Sequence, residues 1–240
     1  NFSNALTKYQ EGIKLSTKTT DVIQIVKFKS NIALVNEEVG NYALAIKNLR
    51  QNSDFLNKNE GLYESEQLQN SKSNIYTNLG NVYEGYFMKN RTKRFLLDSA
   101  EYFYKRAITY SQNYVDNKMT STLSLGNIYL FKKDFKNAER TYFDISMYAK
   151  QNKDEGYYRI ANYNLGDLYY SIKNYDKALV FLKKVDSISV KGKKIDRISF
   201  QSNYLQAKIY NLKHEPEQPF KHSKIYLDSY EKYVGELREE

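Results

Sequence analysis

Asn164-Leu165-Gly166-Asp167-Leu168-Tyr169 is one of four related hexapeptides in this chain. Asn78-Leu79-Gly80-Asn81-Val82-Tyr83 and Ser124-Leu125-Gly126-Asn127-Ile128-Tyr129 are close copies, and Leu205-Gln206-Ala207-Lys208-Ile209-Tyr210 is a weaker one. In each, a small residue (Gly80, Gly126, Gly166, Ala207) stands three before a tyrosine. A second element follows: an aromatic or Leu, two variable residues, then a small residue. Its copies are Phe2/Ala5, Tyr42/Ala45, Leu97/Ala100, Phe135/Ala138, Tyr175/Ala178 and Phe220/Ser223. Four residues after each small residue comes another large apolar one: Tyr9, Leu49, Tyr104, Tyr142, Leu182 and Leu227.

The two elements keep a spacing. Gly126 to Ala138 is 12 residues, as is Gly166 to Ala178, and counting back 12 from Ala45 reaches Ala33. Gly80 to Ala100 is 20 and Ala207 to Ser223 is 16, so the second and last units carry 8 and 4 extra residues. Antiparallel helices that pack closely need small side chains where they cross. Residues three and four further on share that helix face and fill the space beside the crossing. One hairpin cannot bury its apolar face alone, so hairpins of this kind stack into a solenoid.

Composition agrees. The 240 residues contain only two prolines, Pro216 and Pro219, and ten glycines. Proline breaks helix interiors, so a chain this poor in it reads as helical throughout. Hydrophobic residues make up 41%, charged residues 27%, and the net charge is +9. Acids and bases alternate along most segments. The densest basic run, Lys89-Asn90-Arg91-Thr92-Lys93-Arg94, reads as a solvated loop. Cysteine is absent, which excludes disulfides, a thiolate metal site and a Cys nucleophile, and fits either a bacterial cytoplasm or a periplasm. No run of 18 apolar residues exists, so a membrane is reached only through segments outside this sequence. The start at Asn1 suggests a fragment of a longer protein.

Leu-Gly-x-x-Tyr followed by Ala-x-x-x-aromatic resembles the tetratricopeptide repeat (TPR). The resemblance covers nearly the whole chain, with three departures. The motif's first aromatic survives only as Tyr76, the closing proline is missing, and the period is 40 (Ala5 to Ala45, Gly126 to Gly166) rather than about 34. Longer repeats of this kind are similar to the kinesin light chain class and to bacterial peptide-sensing regulators. The resemblance implies an all-α, right-handed superhelix spanning residues 1–240 as one domain. It would hold an orphan helix at 2–17 and five hairpins at 20–57, 64–114, 117–151, 155–187 and 195–238.

The resemblance also implies a binding groove lined by the first helix of each hairpin. Ligand-touching positions in the family lie two and three before the small residue, and one, four and five after it. Two before stand Asn31, Asn78, Ser124 and Asn164, then Leu205. One after stand Leu34, Asn81, Asn127, Asp167 and Lys208, and three before stand Ser30, Thr77, Leu123, Tyr163 and Tyr204. An amide both donates and accepts, so an asparagine ladder can grip a peptide backbone whatever its side chains. Tyrosine adds apolar area and a hydroxyl. The candidate ligand-binding residues are therefore Asn31, Thr77, Asn78, Asn81, Asn127, Tyr163, Asn164, Asp167, Tyr204 and Lys208. A clamp for a terminal carboxylate fits less well, because only Lys27 and Lys208 lie near its basic positions.

Catalytic and metal motifs are not found. His214 and His222 lie eight apart with no HExxH spacing, and read as surface or loop residues. No GxSxG, P-loop or GxGxxG occurs. The chain is thus expected to be a non-enzymatic, cofactor-free, metal-free binder of a protein or extended peptide. As such it would serve as the sensor or interaction region of a larger bacterial regulator. The segment from Tyr226 to Glu240 resembles the junction leading to a coiled coil or output domain in such regulators. A passive scaffold subunit is the alternative. A nucleic-acid binder ranks last, because the cations do not gather on one face with aromatics.

Overall fold

The computed structural model describes residues 2–62, 64–111, 113–189, 197–214, 221–224 and 227. Among these, regular structure is entirely helical. The helices are α1 (Phe2–Lys18), α2 (Val22–Glu38), α3 (Tyr42–Lys58), α4 (Ser65–Lys89), α5 (Phe95–Tyr110), α6 (Val115–Phe131), α7 (Phe135–Gln151), α8 (Glu155–Ser171), α9 (Tyr175–Ser189) and α10 (Arg197–Leu212). A single 3-10 turn, Glu60–Leu62, follows α3. The chain forms two compact units, Asn1–Lys132 and Lys133–Glu240. In the first, consecutive helices pack on one another from α1 to α6, and α4 also lies beside α2 and α6. In the second, α7 packs on α8, α8 on α9, and α10 on both α9 and α8.

These elements stand where the repeat places them, to within a few residues. Helix α6 closes the first unit and α7 opens the second. The second helix of the last hairpin, expected at 217–238, lies outside the described residues apart from 221–224 and 227, which are helical. Ala33, Ala45, Ala100, Ala138, Ala161 and Ala178 are wholly buried, as are Leu49, Tyr104, Tyr142 and Leu182 four residues after the second-helix alanines. The register is visible at the crossings. An ideal Cβ on Gly80 would fall 2.5 Å from the Tyr104 ring, and one on Gly166 would fall 2.6 Å from Leu182. The aliphatic or aromatic residue of the second helix thus sits directly over the glycine of the first.

Tight turns join the helices by one repeated device. Thr20, Gly40, Lys153 and Lys173 take positive φ. The next residue's N–H then bonds back to the carbonyl five before it, as in Asp21 to Ser16 (3.0 Å), Asn41 to Asn36 (2.7 Å), Asp154 to Ala149 (2.8 Å) and Asn174 to Tyr169 (2.8 Å). That satisfies a carbonyl the ending helix leaves open. Three of the same residues cap the helix that follows: Asp21 accepts from Gln24 N–H, Asp154 from Tyr157 N–H and Asn174 from Lys177 N–H. One Asp or Asn thus closes one helix and opens the next, which is why so few glycines suffice.

Buried polar side chains pin the pairs. Asn52 donates to the Val26 carbonyl (2.8 Å) and to Ser30 Oγ (2.9 Å), tying α3 to α2. Asn162 donates to Ser146 Oγ (3.0 Å), tying α8 to α7, and Gln206 donates to Asp186 (2.6 Å), tying α10 to α9.

The second hairpin takes its eight extra residues mostly as helix rather than as loop. From Gly80, α4 runs nine residues to Lys89, whereas α2, α6 and α8 each end five residues after their small residue. It also begins fifteen residues before Gly80, where the other three begin eleven before. Four of the eight therefore lengthen α4 past Gly80, two lengthen the start of α5 and two the loop. A further four outside that interval extend α4 at its start, so each end of α4 gains about 6 Å of helix.

One sequence expectation fails here. His214 does lie in the turn after α10, but His222 is only 8% exposed. Its Nδ1 stands 2.9 Å from Asn203 Oδ1 and its ring stacks on Tyr210 at 5.3 Å. The sequence showed only the flanking prolines and the lack of a metal-site spacing; the covering ring and the hydrogen-bond partner come from the preceding helix, α10. Burial, then Lys221 and Lys183, holds the imidazole below its ordinary value. The folded state therefore disfavours the proton, and stability is lost as pH falls below the ordinary imidazole range. Protection factors of the α10 amides, with the base-catalysed intrinsic exchange rate divided out, are expected to be smaller at pH ~5 than at pH ~7.5, and His222→Gln to shrink that difference. An equal loss of protection in the variant would clear His222 of the role.

Candidate binding trough

Two of the proposed ladder residues come together in the first unit. Asn31 on α2 and Asn78 on α4 line a trough of about 790 Å³. Its floor and walls are α2 and α4, and the α1–α2 turn (Thr19, Thr20, Asp21) borders it. Gln24, Gln67, Asn70 and Asn74 complete an amide-rich lining whose only charged groups are Asp21 and Lys27. Gln67 belongs to the extra N-terminal turn of α4, so the lengthened helix builds part of the wall.

The amides divide into two sets. Asn70 is engaged, accepting from Asn117 (2.8 Å) and Asn74 (3.3 Å). The side chains of Asn31, Asn78, Gln24 and Gln67 make no hydrogen bond to described residues. Each therefore keeps a donor pair and an acceptor for an occupant. The sequence did hold a signal for the unanticipated members: Gln67, Asn70, Asn74 and Asn78 recur at three- and four-residue steps, one helix face.

The other candidates of this unit sit in helix contacts. Thr77 Oγ1 bonds Ser121 Oγ at 2.8 Å and donates to the Ser73 carbonyl, joining α4 to α6. Asn81 Oδ1 accepts from the Tyr104 hydroxyl at 2.8 Å. Asn127 is half-buried on α6 and already engaged.

Beyond Asn81 lies a pair of crowded acidic side chains. The Tyr104 hydroxyl also donates to Glu84 Oε2 at 2.7 Å. Glu37 Oε1 lies 2.8 Å from where a Cβ on Gly85 would stand, so the ends of α2 and α4 press the two glutamates together. Burial, then Glu38 and Glu84, pushes the Glu37 carboxyl up to about 7, and burial raises Glu84 as well. A carboxyl with a raised folded value binds protons more tightly when folded. Its contribution is full at low pH and is lost as pH rises from the ordinary carboxylate range to about 7. Discounted for solvent access, Glu37 accounts for about 1–2 kcal/mol across that window. Glu37→Gln is expected to remove that part of the decline in melting temperature between pH ~5 and ~7.5. An unchanged pH profile would refute the assignment.

The second unit holds the remaining candidates on α8 and α10. Tyr163, Asn164 and Asp167 are half-buried on α8, while Tyr204 and Lys208 are exposed on α10. Lys208 Nζ lies 5.3 Å from the centroids of both Tyr170 and Tyr204. Burial raises the Asp167 carboxyl against the opposing charge of Lys208. Burial, then the Asp167 charge, pushes the Tyr163 hydroxyl up to about 12. This patch mixes an acid, a base held over two rings and a phenol, and differs chemically from the neutral trough. Among the described residues, no group of His, Asp and Glu could hold a metal ion, and no helix is long and apolar enough to cross a membrane.

Known proteins share features of this fold. Residues 160–189, within α8 and α9, match the family model of the tetratricopeptide repeat. No curated protein sequence matches the chain. Among solved structures, BtubC (BKLC) from P. vanneervenii superposes with a TM-score of 0.78 at 17% identity, covering 98% of this chain and 93% of that one. The nearly identical TPR-like repeats of a Podosopora anserina protein described as a kinesin light chain give 0.62 at 12%, covering 87% and 96%. A point variant of those repeats gives 0.63 at the same identity and coverage. At these identities the likeness is one of fold. The chain is a TPR-like helical-repeat protein, built on a fold that generally serves as a protein-interaction module.

Proposed function

We propose that the chain is a peptide-binding module of a larger bacterial regulatory protein. It grips an extended segment of its partner by the backbone, in the trough between α2 and α4, and performs no catalysis. The observation that carries this reading is the set of unengaged amides: Asn31, Asn78, Gln24 and Gln67 line one trough. Neutral amides match the alternating donors and acceptors of a peptide main chain. A groove for nucleic acid would need cations along it, and a carboxylate clamp would need more than Lys27. On this reading the α8–α10 patch, with Tyr163, Asn164, Asp167, Tyr204 and Lys208, is a second protein-contact surface. The Lys-, Asn-, Ile- and Tyr-rich composition suits an AT-rich bacterial genome.

An array of short synthetic peptides, with neutral, acidic and basic members, tests the reading. Neutral peptides are expected to bind and to perturb the resonances of α2 and α4. The proposal fails if the neutral peptides leave those resonances unmoved.

A further inference from the structure

The other end of α4 carries a surface that the trough does not use. There the helix runs one turn past its neighbours into the loop 90–94. Aromatic rings brace the cations of this loop. The Arg91 guanidinium lies 5.2 Å from the centroids of both Phe87 and Phe131. Lys93 Nζ sits 5.1 Å from the Tyr86 centroid and donates to its hydroxyl at 3.1 Å. Arg94 donates to the Phe131 carbonyl at 3.1 Å. Lys89, Arg91, Lys93 and Arg94 are all exposed, with no acid between them. The acids that follow in the chain, Asp98 and Glu101, are both paired with Lys132, at 2.5 Å each. Met88 and Phe95, at the two ends of the loop, are 44% and 61% exposed.

The geometry points to a docking surface for an acidic protein segment that also bears apolar side chains. Its carboxylates meet Arg91, Lys93 and Arg94, and its apolar residues rest on Met88 and Phe95. The charge is complementary and the cations are held in advance, so little side-chain freedom is lost on binding. That bracing favours a partner with carboxylates at fixed positions. An anionic bilayer is served as well by free, flexible lysines. Single-stranded nucleic acid stacks its bases on open aromatic faces, whereas here the rings of Phe87, Phe131 and Tyr86 are already covered by the loop's own cations.

The test titrates the whole chain with short peptides in which Glu content and Leu/Phe content vary independently. Phosphatidylserine vesicles and duplex DNA are run beside them. Peptides rich in both acid and apolar residues are expected to bind best and to weaken with salt. Arg91→Glu with Lys93→Glu should weaken them by roughly tenfold or more. Phe95→Ser, at a side chain that packs little, should weaken them severalfold with unchanged circular dichroism. Swapping the loop charges (Arg91→Glu with Lys93→Glu) should leave the neutral peptides of the trough unaffected, which separates this surface from the trough. The inference is overturned if acidic apolar peptides do not bind, if they bind the loop variants as well as the wild type, or if the loop variants lose affinity only for vesicles or DNA.

Discussion

Replacing Gly80 with Leu is expected to lower the stability of the first unit by about 3 kcal/mol or more. The reason is local and geometric. The Tyr104 ring lies 2.5 Å from the position of the first added carbon. Tyr104 is fully buried and its hydroxyl is tied to Asn81 and Glu84, so the ring cannot swing aside cheaply. Either it leaves its two acceptors, one of them the half-buried Glu84, or α5 moves off α4. Gly80→Ala separates the contributions. Alanine gains about 1 kcal/mol of helix propensity over glycine, so a net loss of about 1–2 kcal/mol would put the crowding itself at about 2–3 kcal/mol. Urea denaturation of both variants reads the difference. A neutral Gly80→Leu would mean that α4 and α5 do not cross at this residue.

Asn31→Ala combined with Asn78→Ala is expected to reduce affinity for trough-binding peptides by roughly 100-fold. Each amide can offer a donor and an acceptor to the peptide backbone, and a neutral hydrogen bond is worth about 0.5–1.5 kcal/mol. Two such residues together account for about 2–3 kcal/mol, hence the hundredfold. Thermal stability should hardly change, because neither side chain has a hydrogen-bond partner among the described residues. Loss of affinity with unchanged melting is the signature of a binding role. Isothermal titration with the tightest neutral peptide decides, and an unaltered Kd would remove the ladder from the proposal.

How the sequence foretold this structure depends on the range of the contact concerned. The spacing of Gly166, Ala178 and Leu182 encodes one hairpin crossing, so the helices and their pairing could be read directly. Asn31 and Asn78 could be placed by counting from Ala33 and Gly80. Asn81 and Thr77 satisfied the same count, yet Tyr104 and Ser121 reach them from other helices. The partner of a polar side chain is a matter of three dimensions. His222 teaches the same lesson, since Tyr210 and Asn203 that enclose it lie on α10. The extra residues after Gly80 could be counted, but not apportioned between helix and loop. The exposed amides at Gln24 and Gln67 fell outside the counted positions, although those of α4 obey helical spacing.

The lengthening of α4 has a bearing on how such a chain can change over time. Growth is confined to the two tips, while the crossing at Gly80 keeps the geometry of its sister hairpins. Four added residues turn the helix by about 400°, which nearly restores its heading. The middle of the hairpin is therefore indifferent to what is grafted at either extremity. One tip has become a wall of neutral amides and the other a cationic prow. Each can be rewritten by substitution without consulting the other, so a single element can acquire two unrelated specificities.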